Sequence, residues 1–206
     1  HCYGSSSWYA ALSDFVVMRK GAVMAVSSVK LTSMAISEAM EPEDLGGWRM
    51  HTDVTGMVDL AVDTDEQAID AVRRFLSYLP SHHREAPPLG PCGPELRPDV
   101  DKVRQLLPLE RTRVYDMRKI LDCIVDRGSL FEMKARYAKN IVTALARIDG
   151  RVVGIVANNP LHKGGAIDVD ACEKATSFMV LCDSFNIPLV FFVDQPGFLI
   201  GIEGER

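Results

Sequence analysis

The sequence predicts an α/β fold, and three features of its second half carry that prediction. Residues 141–148 and 152–157 are apolar runs joined by Asp149-Gly150, a dipeptide typical of a tight hairpin turn. A helix is expected at residues 171–185. Residues 188–193 follow as a continuous apolar run between two prolines, which we expect to form a buried parallel strand. Buried strands that alternate with helices are typical of α/β domains.

The first 79 residues show the same alternation in shorter segments. Gly4 and three serines precede an apolar run that begins at Trp8, a pattern typical of a helix N-terminus. The elements expected after it are strands at 15–18 and 22–26, a helix at 29–40, a strand at 57–62 and an amphipathic helix at 65–79. Pro42 and Gly46 lie between the second helix and the third strand, and there we expect a break in regular structure.

Six prolines lie between residues 80 and 98, a density that regular elements do not tolerate because each proline fixes φ and removes a donor. We therefore expect a linker at 80–98 between a first domain, residues 1–79, and a second, residues 99–206. The second domain is expected to begin with an amphipathic helix at 116–125.

Composition argues against several classes of function. A net charge of −5 is unfavourable for a nucleic-acid partner, and we find no apolar stretch of the length of about 18 residues that a membrane span needs. The five cysteines are scattered, which disfavours a disulfide framework and a zinc ribbon. His82-His83 has no other ligand type close by, so we expect no bound metal. The first residue, His1, and the last, Arg206, suggest a piece of a longer protein.

Side-chain catalysis has little support in the sequence, because no serine lies in a nucleophile-elbow context. Glycine-rich turns remain. One precedes the first helix at Gly4, one is Lys163-Gly164-Gly165, and one follows the last strand at residues 194–201. Backbone N–H groups at such turns bind anions, although turn geometry alone also explains glycines.

A resemblance to a known family adds to these predictions. The residues that carry it are Cys2, Gly4, Leu12, Asp14-Phe15, 45–47, His51, Thr55-Gly56, 76–81, 115–118, 153–160, 164–168, Lys174-Ala175, 182–190 and 192–199. In this order they resemble the carboxyltransferase, or beta, subunit of biotin-dependent acyl-CoA carboxylases, of the kind that act on propionyl-, acetyl- or methylcrotonyl-CoA.

The resemblance implies a crotonase-like fold of two related halves, both incomplete in this chain. It implies carboxyl transfer from carboxybiotin to the α-carbon of an acyl-CoA: the biotin enolate left by release of carbon dioxide removes the α-proton. It also implies a biotin carboxylase and a biotin carboxyl carrier as partners, and a homo-oligomer with active sites between protomers. The compartment implied is the bacterial cytoplasm, in preference to the mitochondrial matrix.

In such subunits paired backbone N–H groups stabilise the oxyanions on biotin and on the thioester. The matching catalytic residues here are Gly4, Ser5, Gly197 and Phe198. They supply half of each oxyanion hole, with Ser5 where the family more often has glycine. The expected substrate-binding residues are Lys163, Gly164, Gly165, Ala166, Pro196, Leu199 and Gly201.

Two alternatives stay open. The chain could belong to the carboxyltransferase component of a biotin-dependent decarboxylase, which runs the reaction in reverse. It could also be a non-catalytic binding piece, since half of each hole is missing. The sequence does not specify which acyl-CoA is used.

Overall fold

The structure is a computed structural model that describes residues 1–110 and 113–201. The chain divides into two compact units, His1–Phe75 and Leu76–Arg206. The assignment of residues 1–79 and 99–206 to two related halves stays a prediction.

The first unit contains short strands and helices. In chain order they are β1 (Cys2–Tyr3), α1 (Ser5–Ala11), β2 (Val17–Arg19), β3 (Met24–Ala25), α2 (Val29–Ile36), α3 (Pro42–Gly46), a π-helix (Met50–Val54), β4 (Leu60–Val62) and α4 (Asp65–Leu76). β1 pairs with β3 and β2 with β4, both in parallel. The two strands expected at 15–18 and 22–26 therefore exist, and each pairs with a different partner.

The break expected at Pro42 and Gly46 is wrong, because this region is the helix α3. Proline at the first turn of a helix has no N–H to lose there, and its fixed φ is already helical. A Cβ on Gly46 would lie 2.2 Å from the Met24 oxygen, so this glycine lets α3 lie against β3. The helix expected at 29–40 ends earlier, at Ile36, because Ser37 is left-handed with φ 58°.

The second unit is built on a four-stranded sheet. Its elements are α5 (Val103–Leu106), α6 (Met117–Leu121), β5 (Phe131–Met133), β6 (Ile141–Ile148), β7 (Arg151–Asn158), α7 (Val169–Ser184) and β8 (Leu189–Phe192). The strand order is β5-β6-β7-β8, antiparallel except for the parallel pair β7–β8. Side chains of α6 and of the central strands form its core, among them Leu121, Val142 and Ile155.

The hairpin expected around Asp149-Gly150 is confirmed, with Ile148 opposite Arg151. Both turn residues have positive φ, 49° and 74°, as a two-residue turn of this hand requires. The carboxylate of Asp126 accepts hydrogen bonds from both turn N–H groups, at 3.0 and 2.8 Å.

The last strand differs in part from expectation. β8 is parallel to β7 as predicted, but the prediction that it is buried is wrong. Phe191 is 54% exposed and Val193 71%, because β8 forms an edge of the described sheet. α7 packs closely on β7, since a Cβ at Gly154 would lie 2.5 Å from the Cys182 sulfur.

Residues 80–98 belong to the second unit. They contain one regular element, the 3₁₀ turn Pro94–Leu96, which the sequence did not predict. Gly90 N–H donates to the Gly150 oxygen at 2.8 Å, and the Arg147 guanidinium donates to the Pro88 oxygen at 2.9 Å. Among the described residues, no helix combines the length and the apolar character that crossing a membrane demands.

Candidate active site

The loop between β7 and α7 approaches the turn after β8 closely at Gly165. Lys163, Gly164 and Gly165 all have positive φ, from 51° to 78°. A Cβ on Gly165 would lie 2.6 Å from the backbone oxygen of Asp194. Glycine is required here for two reasons, the left-handed backbone and the contact with the turn.

Two buried asparagines fix the carbonyl groups of this loop. Asn158 donates to the Gly165 oxygen at 3.1 Å. Asn140 donates to the Ala166 oxygen at 2.7 Å and to the Asp168 carboxylate at 3.1 Å. Because buried amide hydrogen bonds are costly to break, these bonds stabilise the conformation that the loop has here.

Asp168 is the N-cap of α7 and accepts from the Ala171 N–H at 2.9 Å. It also pairs with the ammonium group of Lys163. Burial by itself would raise the pKa of Asp168, but the bonds from Lys163, Ala171 and Asn140 outweigh it and hold the pKa below its ordinary value. Lys163, expected to meet substrate, therefore has an internal carboxylate partner.

The turn that follows β8 is held to the loop by a short parallel bridge. Ile167 N–H donates to the Gly197 oxygen at 3.1 Å, and Leu199 N–H donates to the Ile167 oxygen at 2.7 Å. Within the part of the chain that the structure describes, the N–H groups of Gly197 and Phe198 have no protein acceptor. Unpaired backbone N–H groups are donors of the kind that stabilise oxyanions.

Tyr115 ties the start of this turn to the segment before α6. Its hydroxyl donates to the Asp194 carboxylate at 2.5 Å. Burial raises the pKa of Tyr115, and the hydrogen bond to Asp194 raises it further, so the phenol stays protonated. A surface cavity of about 640 Å³ lies beside this pair. It is lined by Leu107, Pro108, Glu110, Arg113, Val114, Tyr115, Pro160, Gly164, Asp194, Gln195 and Pro196.

Gly4 and Ser5 lie in the first unit, at the N-terminus of α1. Gly4 has φ 61° and is the N-cap, as the glycine-rich helix start predicts. Its N–H, however, donates to the backbone oxygens of Ala25 and Val26, at 3.2 and 2.9 Å. Among the described residues the N–H of Ser5 has no acceptor, so Ser5 is the available donor of this pair.

The structure brings together most of the site residues expected in the second unit. Gly165, Ala166, Gly197, Phe198 and Leu199 lie in or beside the bridged loop and turn. Gly164 and Pro196 line the cavity, and Gly201 is exposed, with φ 111°. The binding roles of these residues stay predictions.

Asn140, Asn158 and Tyr115 hold the loop and the turn in place, and the sequence alone predicts no such role for them. Tyr115 lay in a segment that resembles the family, but the bond to Asp194 spans 79 residues. Asn140 reaches 26 residues to Ala166 and leaves no local pattern.

Lys174 is a further buried group, 1% exposed, on the inner face of α7. Its ammonium donates to the backbone oxygens of Tyr137, Ile141 and Ala138, at 2.9, 2.8 and 3.4 Å. Burial lowers the pKa of Lys174, while the carboxylate of Glu132 opposes that change. Lys174 thus fixes the loop that carries Asn140.

No group of three or more histidine, cysteine or acidic side chains with a metal-binding arrangement occurs among residues 1–110 and 113–201. All five cysteines are free thiols.

Comparison with known proteins identifies the family. The family model described as "Carboxyl transferase domain" matches residues 1–206. The chain is 38% identical over 206 residues to the propionyl-CoA carboxylase carboxyltransferase subunit of Haloferax mediterranei, covering 100% of this chain and 40% of the relative. It is 37% identical over 205 residues to the methylmalonyl-CoA decarboxylase subunit alpha of Veillonella parvula, covering 99% and 40%.

Among solved structures, the crystal structure of transcarboxylase 12S matches with a TM-score of 0.93 and 38% identity. The match covers 99% of this chain and 40% of that one, so the chain spans about two fifths of the length of these relatives. The similarity confirms the predicted crotonase-like α/β class. The chain belongs to the carboxyl transferase domain family.

Proposed function

We propose that this chain is part of an enzyme that transfers a carboxyl group between carboxybiotin on a carrier protein and the α-carbon of an acyl-CoA. The observation that carries this proposal is the pair of unpaired N–H groups at Gly197 and Phe198, at the C-terminal end of β8. Substrates commonly bind at this end of the strands in open α/β sheets.

These donors fit a ligand oxygen that gains negative charge, as on the ureido ring of biotin or on a thioester carbonyl. Bound carboxybiotin would supply the carboxyl group. The residues of the chain hold the oxygen through backbone N–H groups, so the site needs no acid, base or nucleophile of its own. Loss of one such donor typically lowers kcat by about 10²–10³-fold.

The first unit would contribute the N–H of Ser5 to the second oxyanion site. Gly4 would only set the backbone conformation at this helix start, because its own N–H already donates to the backbone oxygens of Ala25 and Val26. The remaining donor of each hole would come from parts of the enzyme outside this chain.

The wider assembly is proposed on the same basis. It includes a biotin carboxylase, a biotin carboxyl carrier, an acyl-CoA substrate and a homo-oligomer. Transcarboxylase 12S is described as a hexamer with a CoA ligand bound. A bacterial cytoplasmic setting is preferred to the mitochondrial matrix. Gly164, Gly165, Ala166, Pro196, Leu199 and Gly201 would line the binding site, with Lys163 at its edge.

A second candidate is the reverse reaction, in a biotin-dependent decarboxylase. The similarity to the Veillonella parvula decarboxylase subunit, at 37% identity, favours it, and the residues of the site serve either direction. Partner subunits would decide which direction is used.

The test uses the complete polypeptide that contains these residues, with a biotin carboxylase, a biotin carrier protein, ATP and labelled bicarbonate. Acetyl-CoA, propionyl-CoA and methylcrotonyl-CoA are supplied in turn. We expect acid-stable label in at least one acyl-CoA. A carrier that becomes carboxylated while every acyl-CoA stays unlabelled would contradict the forward reaction. Loss of carbon dioxide from a carboxylated acyl-CoA, dependent on the free carrier, would then support the decarboxylase. Turnover by residues 1–206 alone would refute the view that each oxyanion hole is completed elsewhere.

A further inference from the structure

The carboxylate of Asp194 lies three residues before the unpaired N–H of Gly197. Aspartate side chains readily accept hydrogen bonds from backbone N–H groups two or three residues further on. Asp168 does so in this unit, to the Ala171 N–H at 2.9 Å and with the same separation. Pro196 has no N–H, so the N–H of Gly197, three residues on, is the natural target for Asp194.

In the structure Asp194 is bonded elsewhere. Its Oδ2 atom accepts from the hydroxyl of Tyr115 at 2.5 Å. Tyr115 is fixed in turn by its neighbours, because Asp116 caps α6 and the Met117 N–H donates to Asn159, which is 1% exposed. The tyrosine hydroxyl is therefore a fixed donor placed to one side of the turn.

We propose that Tyr115 is a positioning residue that holds the Asp194 carboxylate away from the N–H of Gly197. Without this bond, the carboxylate accepts a hydrogen bond from the Gly197 N–H and repels an anionic oxygen, so the site no longer binds one. The inference rests on the proposed function, since it assigns these donors to the substrate oxygen.

Tyr115→Phe removes the hydroxyl and leaves the ring in place. We expect kcat/KM of carboxyl transfer by the complete enzyme to fall at least about tenfold. A backbone N–H that is bonded to Asp194 cannot stabilise the oxyanion, so the loss of activity can approach that caused by removal of the donor. Asp194→Ala added to Tyr115→Phe removes the competing carboxylate, and we expect the double variant to be more active than Tyr115→Phe alone. A bond with only a structural role predicts no such rescue.

Tyr137→Phe is the matched control. Tyr137 also donates to carboxylates, those of Asp170 and Glu173, at 3.0 and 3.3 Å. The control loses the same atom and the same type of bond at a place to which no catalytic role is assigned. We expect its kcat/KM to stay within about threefold of the parent, a much smaller change than the loss of an oxyanion donor causes.

Hydrogen exchange measured by mass spectrometry on overlapping peptides that cover residues 194–201 gives a readout independent of turnover. We expect slower exchange at Gly197 in Tyr115→Phe than in the parent, and return to parental exchange in the double variant. Unchanged exchange, or a double variant no more active than Tyr115→Phe, would overturn the inference. Lack of transfer by the parent would instead count against the proposed function, and exchange would still decide this inference.

Discussion

The close approach of Gly165 to Asp194 leads to a prediction with a matched control. Gly165→Ala places a Cβ 2.6 Å from the Asp194 oxygen, where ordinary contact begins near 3.4 Å. The loop and the turn must therefore move apart by several tenths of an ångström. The left-handed backbone, at φ 78°, adds a second cost.

The two costs can be estimated separately. A non-glycine residue in the left-handed region costs about 1–2 kcal/mol. Overpacking of a buried contact costs a further ~1–3 kcal/mol, so Gly165→Ala should lower the free energy of unfolding by roughly 2–5 kcal/mol. Gly128 has nearly the same φ, 73°, and a Cβ there would meet no atom within 4 Å. Gly128→Ala should therefore show only the first cost, about 1–2 kcal/mol.

Urea unfolding of both variants measures the difference between them. The loss of unfolded-state entropy on replacing glycine by alanine is common to both and cancels. In the transfer assay, displacement of the turn should lower kcat of Gly165→Ala by up to about 10²-fold, because misplacement on the ångström scale has effects of this size. If Gly165→Ala were no less stable than Gly128→Ala, the loop would not be in the contact that the structure shows.

Two further predictions concern groups behind the site. Lys174→Met leaves backbone carbonyls without their donor and should lower the free energy of unfolding by about 2–4 kcal/mol. Lys139 is exposed, and Lys139→Met should change the free energy of unfolding by less than about 0.5 kcal/mol. Equal effects of the two substitutions in urea unfolding would contradict the role of Lys174. Asp168→Asn tests how stability depends on pH. Folding lowers the pKa of Asp168, so its carboxylate stabilises the fold above about pH 4. This contribution is lost as pH falls through the folded-state pKa. The stability gap between Asp168→Asn and the parent should therefore narrow in acid, and a gap independent of pH between 2 and 7 would refute it.

Local patterns predicted the central hairpin and α7 well. Asp149-Gly150 specifies its turn through the backbone conformation of two residues, and the apolar runs on either side specify the strands. The error at Pro42 has a local cause as well. Proline is unfavourable inside a helix and favourable at its first turn, and its presence alone does not distinguish the two positions.

Burial of β8 could not be predicted from its composition alone. An apolar run indicates a strand that is covered in the folded protein, but Phe191 and Val193 lie at the edge of the described sheet. What covers a strand depends on the elements that pack beside it, and the composition of the strand itself does not specify them.

In the candidate site too, local sequence predicts the turns but not the hydrogen bonds between residues far apart in the chain. The positions of Gly165 and Gly197 follow from their turns, and the resemblance indicated their role. The bonds that hold these turns, from Asn140 and Tyr115, link residues 26 and 79 positions apart. No local pattern encodes such pairs. The occupied N–H of Gly4 likewise depends on its register with β3.

The proposed function assigns to the backbone N–H of Phe198 the stabilisation of an oxyanion. Replacing this one amide by an ester, through incorporation of phenyllactic acid at position 198 of the complete enzyme, removes the donor and keeps the side chain. The same change at Leu199 removes a N–H that bonds to Ile167 and serves as the structural control. We predict that the ester at 198 lowers kcat of carboxyl transfer by about 10²–10³-fold and by far more than the ester at 199. If the ester at 198 kept kcat within about threefold of the parent, a much smaller change than loss of an oxyanion donor causes, the role assigned to the Phe198 N–H would be wrong.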